Sequence, residues 1–262
     1  MRYLNLEKDD RGIARLTLNR PEVHNAFDDQ LIAELDSALK DLAGEPAVRV
    51  LLLSGAGRSF SAGGDLNWMR RAADYSHEEN RADADRLAVM ISALDRFPCP
   101  TIAVVNGAAF GGGVGLVAAC DIAVASDRAV FSLSEVRLGL IPAVISPFVV
   151  NAIGQRAARR YFLSGERFDA VTAQRAGLVH DVAPHDELPQ RIDALLEQLL
   201  AGGPSAQQTA KELLFRLRGN QDEEDPAVWT AQLIADVRAT EEAHEGIDAF
   251  LNKRKPDWTI DT

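Results

Sequence analysis

The fold is decided by the uncharged stretch at residues 97–120, which reads FPCPTIAVVNGAAFGGGVGLVAAC. The stretch is longer than the roughly 20 residues that cross a bilayer. However, Pro98 and Pro100 interrupt its start, and its glycines would leave only a weak helix. The pattern therefore predicts a buried strand at 102–105, a glycine-rich turn and a buried helix at 112–119, with no membrane span.

Strands and helices alternate along the chain before and after this stretch. Such alternation predicts parallel strands joined by crossovers, with loops at one sheet edge available for chemistry. Ser76 and Glu79 form a capping-box pattern at the start of one of these helices. The predicted elements are a hairpin of 3–6 and 13–18, a helix over 27–42, a doubly buried strand at 50–53, a loop at 57–64, a helix from 77 through 94 and a strand at 122–125.

The pattern changes after residue 182, where helical segments follow one another. Helices are predicted over 187–200, 205–217 and 226–251. The acidic segment 220–225 is predicted to be an exposed connector between two of them.

Composition and charge restrict the classes of partner. Lys and Arg number 28 and Asp and Glu 39, so the net charge of −11 has the wrong sign for a nucleic-acid or anionic-membrane binder.

No apolar segment typical of a secretory signal follows Met1, and the cysteines Cys99 and Cys120 suit a reducing compartment, so a cytoplasmic location is expected. The five histidines are scattered without metal-ligand spacing, so no metal site is predicted. The chain has no nucleotide-binding fingerprint and no nucleophile elbow.

Two glycine-rich turns, at 61–66 and 110–115, each stand immediately before a predicted helix. A helix start offers unpaired N–H donors, and glycine lets another backbone or a ligand oxygen come close. If the turns met, their N–H groups would form an oxyanion hole. Two alternatives remain open: either turn could bind phosphate, or could be only a tight connection.

Glu135 is the most suggestive ionisable residue, because it lies among apolar neighbours in 130–136. Burial would raise its pKa, and a carboxyl group with a raised pKa can accept and return a proton near neutrality, as water addition requires. The alternative is a salt bridge to Arg137 or Arg128.

Five segments in order resemble the crotonase, or enoyl-CoA hydratase/isomerase, family: NRPEVHNA (19–26), FSAGGDL (60–66), NGAAFGGG (106–113), CDIA (120–123) and AFLNKRKP (249–256). The likeness covers nearly the whole chain. It implies an α/β fold in which a spiral of ββα units, residues 1–198, precedes a C-terminal helical trimerisation region, residues 199–262. It also implies an enoyl-CoA hydratase type hydro-lyase that assembles as a homotrimer or a dimer of trimers.

The resemblance also implies roles for individual residues. The N–H groups of Gly64 and Gly112 would bind the thioester oxygen of an acyl-CoA, and Glu135 would act as the general acid and base. Phe250 and Lys253 would reach the CoA of a neighbouring subunit. No cofactor is implied, since coenzyme A is part of the substrate. The remaining substrate or CoA contacts would be made at His24, Ala26, Ser61, Ala62, Asp65, Leu66, Trp68 and Phe148.

One departure from the family pattern and one finer likeness concern the substrate. Hydratases of this family usually employ two glutamates, and Gly115 replaces the first of them here. The segment FSLSEVRLGLIPAVISPFVV (131–150) resembles bacterial methylglutaconyl-CoA hydratases and the related isohexenylglutaconyl-CoA hydratases. We therefore expect hydration of a branched, carboxylated 2-enoyl-CoA. The alternatives are another acyl-CoA reaction of this family, namely isomerisation, decarboxylation or thioester hydrolysis, or a non-catalytic CoA-binding or RNA-binding role.

Overall fold

The computed structural model of the chain describes residues 1–219 and 225–259. In these ranges the strands are β1 (Leu4–Lys8), β2 (Ile13–Leu18), β3 (Val50–Gly55), β4 (Ser59–Ser61), β5 (Thr101–Val105), β6 (Ala108–Phe110), β7 (Ile122–Ser126), β8 (Val130–Ser132), β9 (Arg167–Asp169) and β10 (Asp181–Ala183). The helices are α1 (Asp29–Ala43), α2 (Leu66–Ala72), α3 (His77–Asp95), α4 (Gly112–Ala119), α5 (Ser146–Ser164), α6 (Ala170–Ala176), α7 (Leu188–Leu200), α8 (Pro204–Gly219), α9 (Pro226–Arg238) and α10 (Glu241–Leu251). Short 3-10 helices occupy Pro21–Val23, Glu135–Leu138 and His185–Glu187.

The strands form two sheets. The larger has the order β1-β2-β3-β5-β7-β10, in which the hairpin β1–β2 is antiparallel and the other pairs are parallel. The smaller has the order β4-β6-β8-β9, with β9 antiparallel to β8. Along the chain a large-sheet strand is followed by a small-sheet strand and then by a helix, as in β3–β4–α2 and β5–β6–α4. The α/β spiral of ββα units is therefore confirmed.

The hydrophobic core lies on both faces of the larger sheet. On one face α1, α3 and α4 pack against the inward side chains of β2, β3 and β5. On the other face Ile192 and Leu196 of α7 pack against Val50, Leu52 and Ile102. The run 50–53 is buried throughout, as predicted for a strand covered on both sides. Because α7 extends to Leu200, the boundary predicted after residue 198 falls inside a helix that belongs to this core.

The last three helices form the C-terminal region. The helix predicted over 226–251 is wrong in one respect, because the chain breaks into α9 and α10 where the Thr240 side chain accepts a hydrogen bond from Ala243 N. Lys211 of α8 pairs with Asp121 at 2.6 Å and so ties this region to the end of α4. Of the predicted acidic connector, only Asp225 lies within the described residues. In the described ranges no helix is long and apolar enough to cross a membrane.

Candidate active site

The first glycine corner lies between β4 and α2. Gly63 has a φ of 85°, a conformation that favours glycine. Phe27 N donates to Gly63 O at 2.6 Å, and Asp65 N donates to Phe27 O at 2.7 Å. Phe27 and Gly64 therefore form an isolated parallel β-bridge. Ser61 Oγ accepts a hydrogen bond from Gly63 N at 3.3 Å. Among the hydrogen bonds of the described residues, none is donated by the Gly64 N–H.

The second glycine corner lies between β6 and α4. Gly111 has a φ of 50°, and its N–H donates to Ser132 O at 2.9 Å. Gly112 is the first residue of α4, so its N–H has no partner within the helix, and the described residues supply no other acceptor. A side chain at Gly112 is excluded, because its Cβ would lie 2.6 Å from Phe27 Cε2.

The two corners touch each other. A Cβ built on Gly63 would lie 2.8 Å from Phe110 O and 3.6 Å from Gly111 Cα. Phe27 contacts both corners, since its backbone is bridged to the first and its ring lies against Gly112 of the second. The structure therefore places two peptide N–H groups without protein acceptors on adjoining turns. Two such N–H groups, aimed at one point, would stabilise an oxyanion developing on a carbonyl oxygen.

Glu135 lies over the second corner. It begins the 3-10 helix Glu135–Leu138, and a Cβ on Gly111 would lie 3.1 Å from Glu135 Oε1. The other carboxyl oxygen, Oε2, is buried and has no hydrogen-bond partner. Burial raises the pKa of Glu135 above the usual glutamate range. The alternative of a salt bridge to Arg137 or Arg128 is not found among the ion pairs of the described residues.

The side chains around Gly115, which stands where the family pattern has its first glutamate, are apolar. A Cβ on Gly115 would clash with Ile145 Cγ2 and would lie 2.8 Å from Ile145 Cβ and 3.4 Å from Ile91 Cδ1. Ile145 and Ile91 are buried. Glycine at 115 therefore lets the start of α5 lie directly on α4, and Ile145 fills the space that a longer side chain at 115 would need.

A buried arginine, which was not among the predicted site residues, links the elements around the first corner. Arg20 NH1 donates to Ala26 O at 2.7 Å and pairs with Asp28 Oδ2 at 3.1 Å. Its NH2 pairs with Asp65 Oδ2 at 3.1 Å, and its guanidinium lies 4.4 Å from the centre of the Tyr3 ring. The only sequence signal for Arg20 was its place in the Asn19–Ala26 motif.

Asp65 has a structural role that its prediction as a substrate contact did not anticipate. Its Oδ1 accepts hydrogen bonds from Asn67 N at 2.8 Å and Trp68 N at 3.3 Å, which caps α2. Burial alone would raise the pKa of Asp65. The two backbone hydrogen bonds and the Arg20 charge outweigh that effect, and the pKa is lowered. An ionised Asp65 therefore holds the start of α2 beside Gly64.

Other predicted contact residues line the approach to the first corner. His24 Nδ1 lies 3.0 Å from Ser59 Oγ, and His24 O accepts from Ala62 N at 2.9 Å. Leu66 is 71% exposed at the start of α2. The ring of Trp68 lies against the corner itself, because a Cβ on Gly64 would be 3.4 Å from Trp68 Cζ3.

Three predicted contact residues lie elsewhere in this chain. Phe148 lines a separate cavity of about 360 Å³ at the far end of α4, together with Asp121 and Lys211, so the structure does not bring it to the glycine corners. Phe250 is 82% exposed on α10, and Lys253 follows that helix with a φ of 54°. The structure thus brings together Gly64, Gly112, Glu135 and Trp68. In the described ranges no group of three or more His, Cys, Asp or Glu side chains could hold a metal ion.

Comparison with known proteins extends these observations. A family model described as enoyl-CoA hydratase/isomerase matches residues 8–261. A 2,3-dehydroadipyl-CoA hydratase of Escherichia coli K12 is 37% identical over 246 residues, which are 93% of each chain. The mevalonyl-coenzyme A hydratase sidH of Aspergillus fumigatus is 36% identical over 94% of this chain and 91% of its own. The crystal structure of an enoyl-CoA hydratase from Shewanella pealeana superposes with a TM-score of 0.93 at 45% identity, covering 98% of this chain and 96% of that one. The chain therefore belongs to the enoyl-CoA hydratase/isomerase family and is an enzyme of the enoyl-CoA hydratase type.

Proposed function

We propose that the protein adds water reversibly to the double bond of a branched, carboxylated 2-enoyl-CoA, of the 3-methylglutaconyl-CoA or isohexenylglutaconyl-CoA type. The proposal depends most on one observation. The partly buried Glu135 carboxyl, with Oε2 buried and unpaired, lies over the corner in which the Gly112 N–H has no protein acceptor. A proton-transfer group and an oxyanion site thus lie side by side.

The chemistry requires one group that moves a proton and one site that holds charge. Ionised Glu135 takes a proton from water while the water oxygen bonds to the β-carbon. The π electrons of the double bond then move onto the thioester oxygen. The N–H groups of Gly64 and Gly112 hold the resulting enolate oxygen; losing one such donor typically costs about 3 kcal/mol of transition-state stabilisation. The enolate then collapses, and protonated Glu135 delivers its proton to the α-carbon, which restores the carboxylate.

Gly115 cannot supply a second acid–base group to this mechanism. Ile145 and Ile91 line the place where a second carboxylate would project, and neither can hold water. Because Glu135 takes and returns the same proton, the cycle needs no second carboxylate.

The names of two relatives favour an acyl group with a polar end. A 2,3-dehydroadipyl thioester carries a free carboxylate at the end of its chain, and a mevalonyl thioester is branched and ends in a hydroxyl group. Both relatives cover more than nine-tenths of this chain. The first likeness supports a carboxylated acyl group and the second a branched one, together with the resemblance of 131–150 to methylglutaconyl-CoA hydratases.

Glu135→Gln tests the role of the carboxyl. We expect turnover of 3-methylglutaconyl-CoA to fall by about 100-fold or more, since general acid–base groups contribute about that much. The dissociation constant for the thioester should change little. Hydration is followed by loss of the enoyl-thioester absorbance and by the mass gain of one water. Glu197→Gln, at an exposed position on α7, is the matched control and should retain wild-type turnover. Turnover retained in Glu135→Gln would remove Glu135 from the role.

The apolar wall at Gly115 also favours a second candidate, a shift of the double bond by a single base. One relative, a trans-2-decenoyl-[acyl-carrier-protein] isomerase of Streptococcus mutans, is 32% identical over 95% of each chain. Isomerisation moves a proton between carbons and leaves the mass of the thioester unchanged. The product mass in the same assay therefore decides between the two reactions.

A further inference from the structure

Arg20 is a buried cation beside the first glycine corner, and the proposed mechanism gives it no direct role. One guanidinium nitrogen, NH1, donates to Ala26 O at 2.7 Å and pairs with Asp28 Oδ2 at 3.1 Å. The other nitrogen, NH2, donates to Asp65 Oδ2 at 3.1 Å. A buried charge is costly unless it is well paired, so these contacts hold the arginine and the backbone around it in one arrangement.

The two aspartates each use one carboxyl oxygen to cap a helix and the other to bind Arg20. Asp28 Oδ1 accepts a hydrogen bond from Leu31 N at 2.8 Å and caps α1, whereas its Oδ2 faces the guanidinium. Asp65 Oδ1 accepts two backbone N–H groups and caps α2, and its Oδ2 also faces the guanidinium. Arg20 therefore fixes the first turn of α1 relative to the first turn of α2.

Phe27 stands between the two residues that Arg20 holds through NH1, namely Ala26 and Asp28. It is 1% exposed and contacts both glycine corners. Its backbone is hydrogen-bonded to the first corner, and its ring lies against Gly112 of the second. A shift of Phe27 would therefore move both corners, and the contacts of Arg20 on either side oppose such a shift.

The hydrogen bond from Phe27 to the first corner sets the direction of the Gly64 N–H. Phe27 N donates to Gly63 O at 2.6 Å. The Gly63 carbonyl and the Gly64 N–H belong to one planar trans peptide, in which they point in opposite directions. Holding the carbonyl on Phe27 therefore aims the N–H away from the Phe27 backbone. A rotation of this peptide would turn the donor from the oxygen that it is proposed to hold.

We propose that Arg20 is a positioning residue of the oxyanion site. Through Phe27 it maintains the direction of the Gly64 N–H and the place of Gly112. This assignment rests on the proposed function and deepens it, because it names the residue that keeps the two N–H donors aligned. Lysine would not replace Arg20, because one ammonium nitrogen cannot make the contacts that two guanidinium nitrogens make in different directions.

Asp65→Asn and Asp28→Asn test this assignment with little change of shape. Asparagine caps a helix as well as aspartate does, but its neutral amide weakens the contact with Arg20. We expect each variant, and Arg20→Lys, to lower kcat for 3-methylglutaconyl-CoA by about 10-fold or more, with KM changed by less than about 3-fold. Asp169→Asn, which changes the exposed cap of α6, is the matched control and should retain wild-type kcat.

The sign of the change in kcat separates positioning from a direct effect of charge. Removing the negative charge of Asp65 or Asp28 would, through charge alone, favour the enolate and raise kcat. A fall in kcat therefore indicates misaligned donors.

The infrared C=O stretch of bound 3-methylglutaryl-CoA, a saturated thioester with an isotope-labelled carbonyl, measures the alignment without turnover. Two aligned N–H donors polarise the carbonyl and lower the stretching frequency. We expect a smaller lowering in Asp65→Asn and Asp28→Asn than in the wild type and in Asp169→Asn. A change in folding stability alone would leave this frequency as it is in the wild type.

Either of two results would overturn the proposal. Wild-type kcat in Asp65→Asn and Asp28→Asn would mean that the contacts of Arg20 do not affect the donors. A lower kcat with the wild-type carbonyl frequency would mean that Arg20 only stabilises the fold.

Failure of the wild type to hydrate 3-methylglutaconyl-CoA would refute the proposed substrate separately. The carbonyl frequency of bound 3-methylglutaryl-CoA or butanoyl-CoA, whichever binds, then tests the role of Arg20 in the same variants. A frequency in the wild type equal to that of the free thioester would refute the oxyanion site, and the role of Arg20 with it.

Discussion

At the scale of single residues, the proposed chemistry depends on the proton affinity of Glu135. Its carboxyl lies over the second glycine corner, with one oxygen buried and unpaired, and burial raises its pKa. A group used as base and acid in the same cycle must not hold its proton too weakly or too strongly. A raised pKa therefore brings a glutamate closer to what hydration near neutral pH requires.

A single acid–base group predicts a simple pH profile. Each cycle begins and ends with ionised Glu135, so hydration and the reverse dehydration need the same protonation state. We expect kcat/KM in both directions to fall as the pH is lowered through the pKa of Glu135. The midpoint should lie above about 4.3, the value of an unperturbed glutamate. The measurement is kcat/KM in each direction from pH 4 upward, at about one-half-unit steps, over the range in which the protein stays folded.

The shape of the profile distinguishes one carboxylate from two. A pair in which one group is ionised and the other protonated would give a bell-shaped profile. The single carboxylate gives one acidic limb, and the Glu197→Gln control should reproduce it. A second, alkaline limb shared by both directions would contradict the one-group mechanism.

At the scale of secondary-structure elements, the contact between α4 and α5 decides what can lie beside Glu135. Gly115 and Ile145 are in direct contact there, and α5 begins immediately after Ile145. Cores are packed so closely that one added methyl group displaces its neighbours. We therefore expect Gly115→Ala to lower the free energy of unfolding by about 1–3 kcal/mol, even though alanine is the better helix former.

Gly44→Ala and a double variant control this prediction. A Cβ on Gly44 would meet only ordinary contacts, at 3.5 Å from Asp41 O, so that variant should be nearly neutral. In Gly115→Ala/Ile145→Ala the shorter neighbour makes room for the new methyl group, so the double variant should lose less stability than the sum of the losses in the two single variants, which makes the two substitutions non-additive. Denaturant unfolding at fixed protein concentration measures five proteins: wild type, Gly44→Ala, Gly115→Ala, Ile145→Ala and the double variant. A Gly115→Ala protein as stable as wild type would show that α4 and α5 can move apart at little cost in free energy.

The same elements show what a sequence alone can and cannot predict. The runs at 50–53 and 102–105 predicted strands because continuous apolar residues of that length suit a doubly buried strand. The smaller sheet was missed, because β4, β6 and β8 have three residues each and such short segments carry no periodicity. Sequence also did not show which face of α5 meets α4, so neither the contact of Ile145 with Gly115 nor the cavity lined by Phe148 could be predicted.

The candidate site also combines residues that the sequence could select with contacts that it could not predict. The glycine corners and Glu135 could be selected from their residue types, because the need for close approach and for a buried carboxyl is local. The two corners meet through Phe27, and Arg20 forms ion pairs with Asp28 and Asp65. These contacts depend on tertiary packing, so they could not be predicted from local sequence. Phe250 lies 115 positions after Glu135, and a contact of Phe250 with the CoA of a neighbouring subunit would depend on the assembly.

At the scale of the whole molecule, the C-terminal helices leave apolar side chains exposed. On α10 the exposed fractions are 54% for Ile247, 82% for Phe250 and 72% for Leu251. Contiguous apolar surface of this kind marks an interaction site on a soluble protein. The resemblance to the crotonase family suggests other copies of the same chain as the partner, in a trimer or a dimer of trimers.

We therefore expect sedimentation to give a mass of about 85 kDa, three times the 28.4 kDa of one chain, or twice that for a dimer of trimers. Phe250→Asp should weaken the assembly, since it places a charge on a surface that association would bury. It should also raise KM for acyl-CoA thioesters if Phe250 reaches the CoA of a neighbouring subunit. Val89→Asp, which changes an exposed apolar residue of α3, is the matched control. A fully active wild-type protein that sediments at 28.4 kDa would contradict the assembly, and unchanged KM in a dissociated Phe250→Asp protein would show that each subunit binds CoA alone.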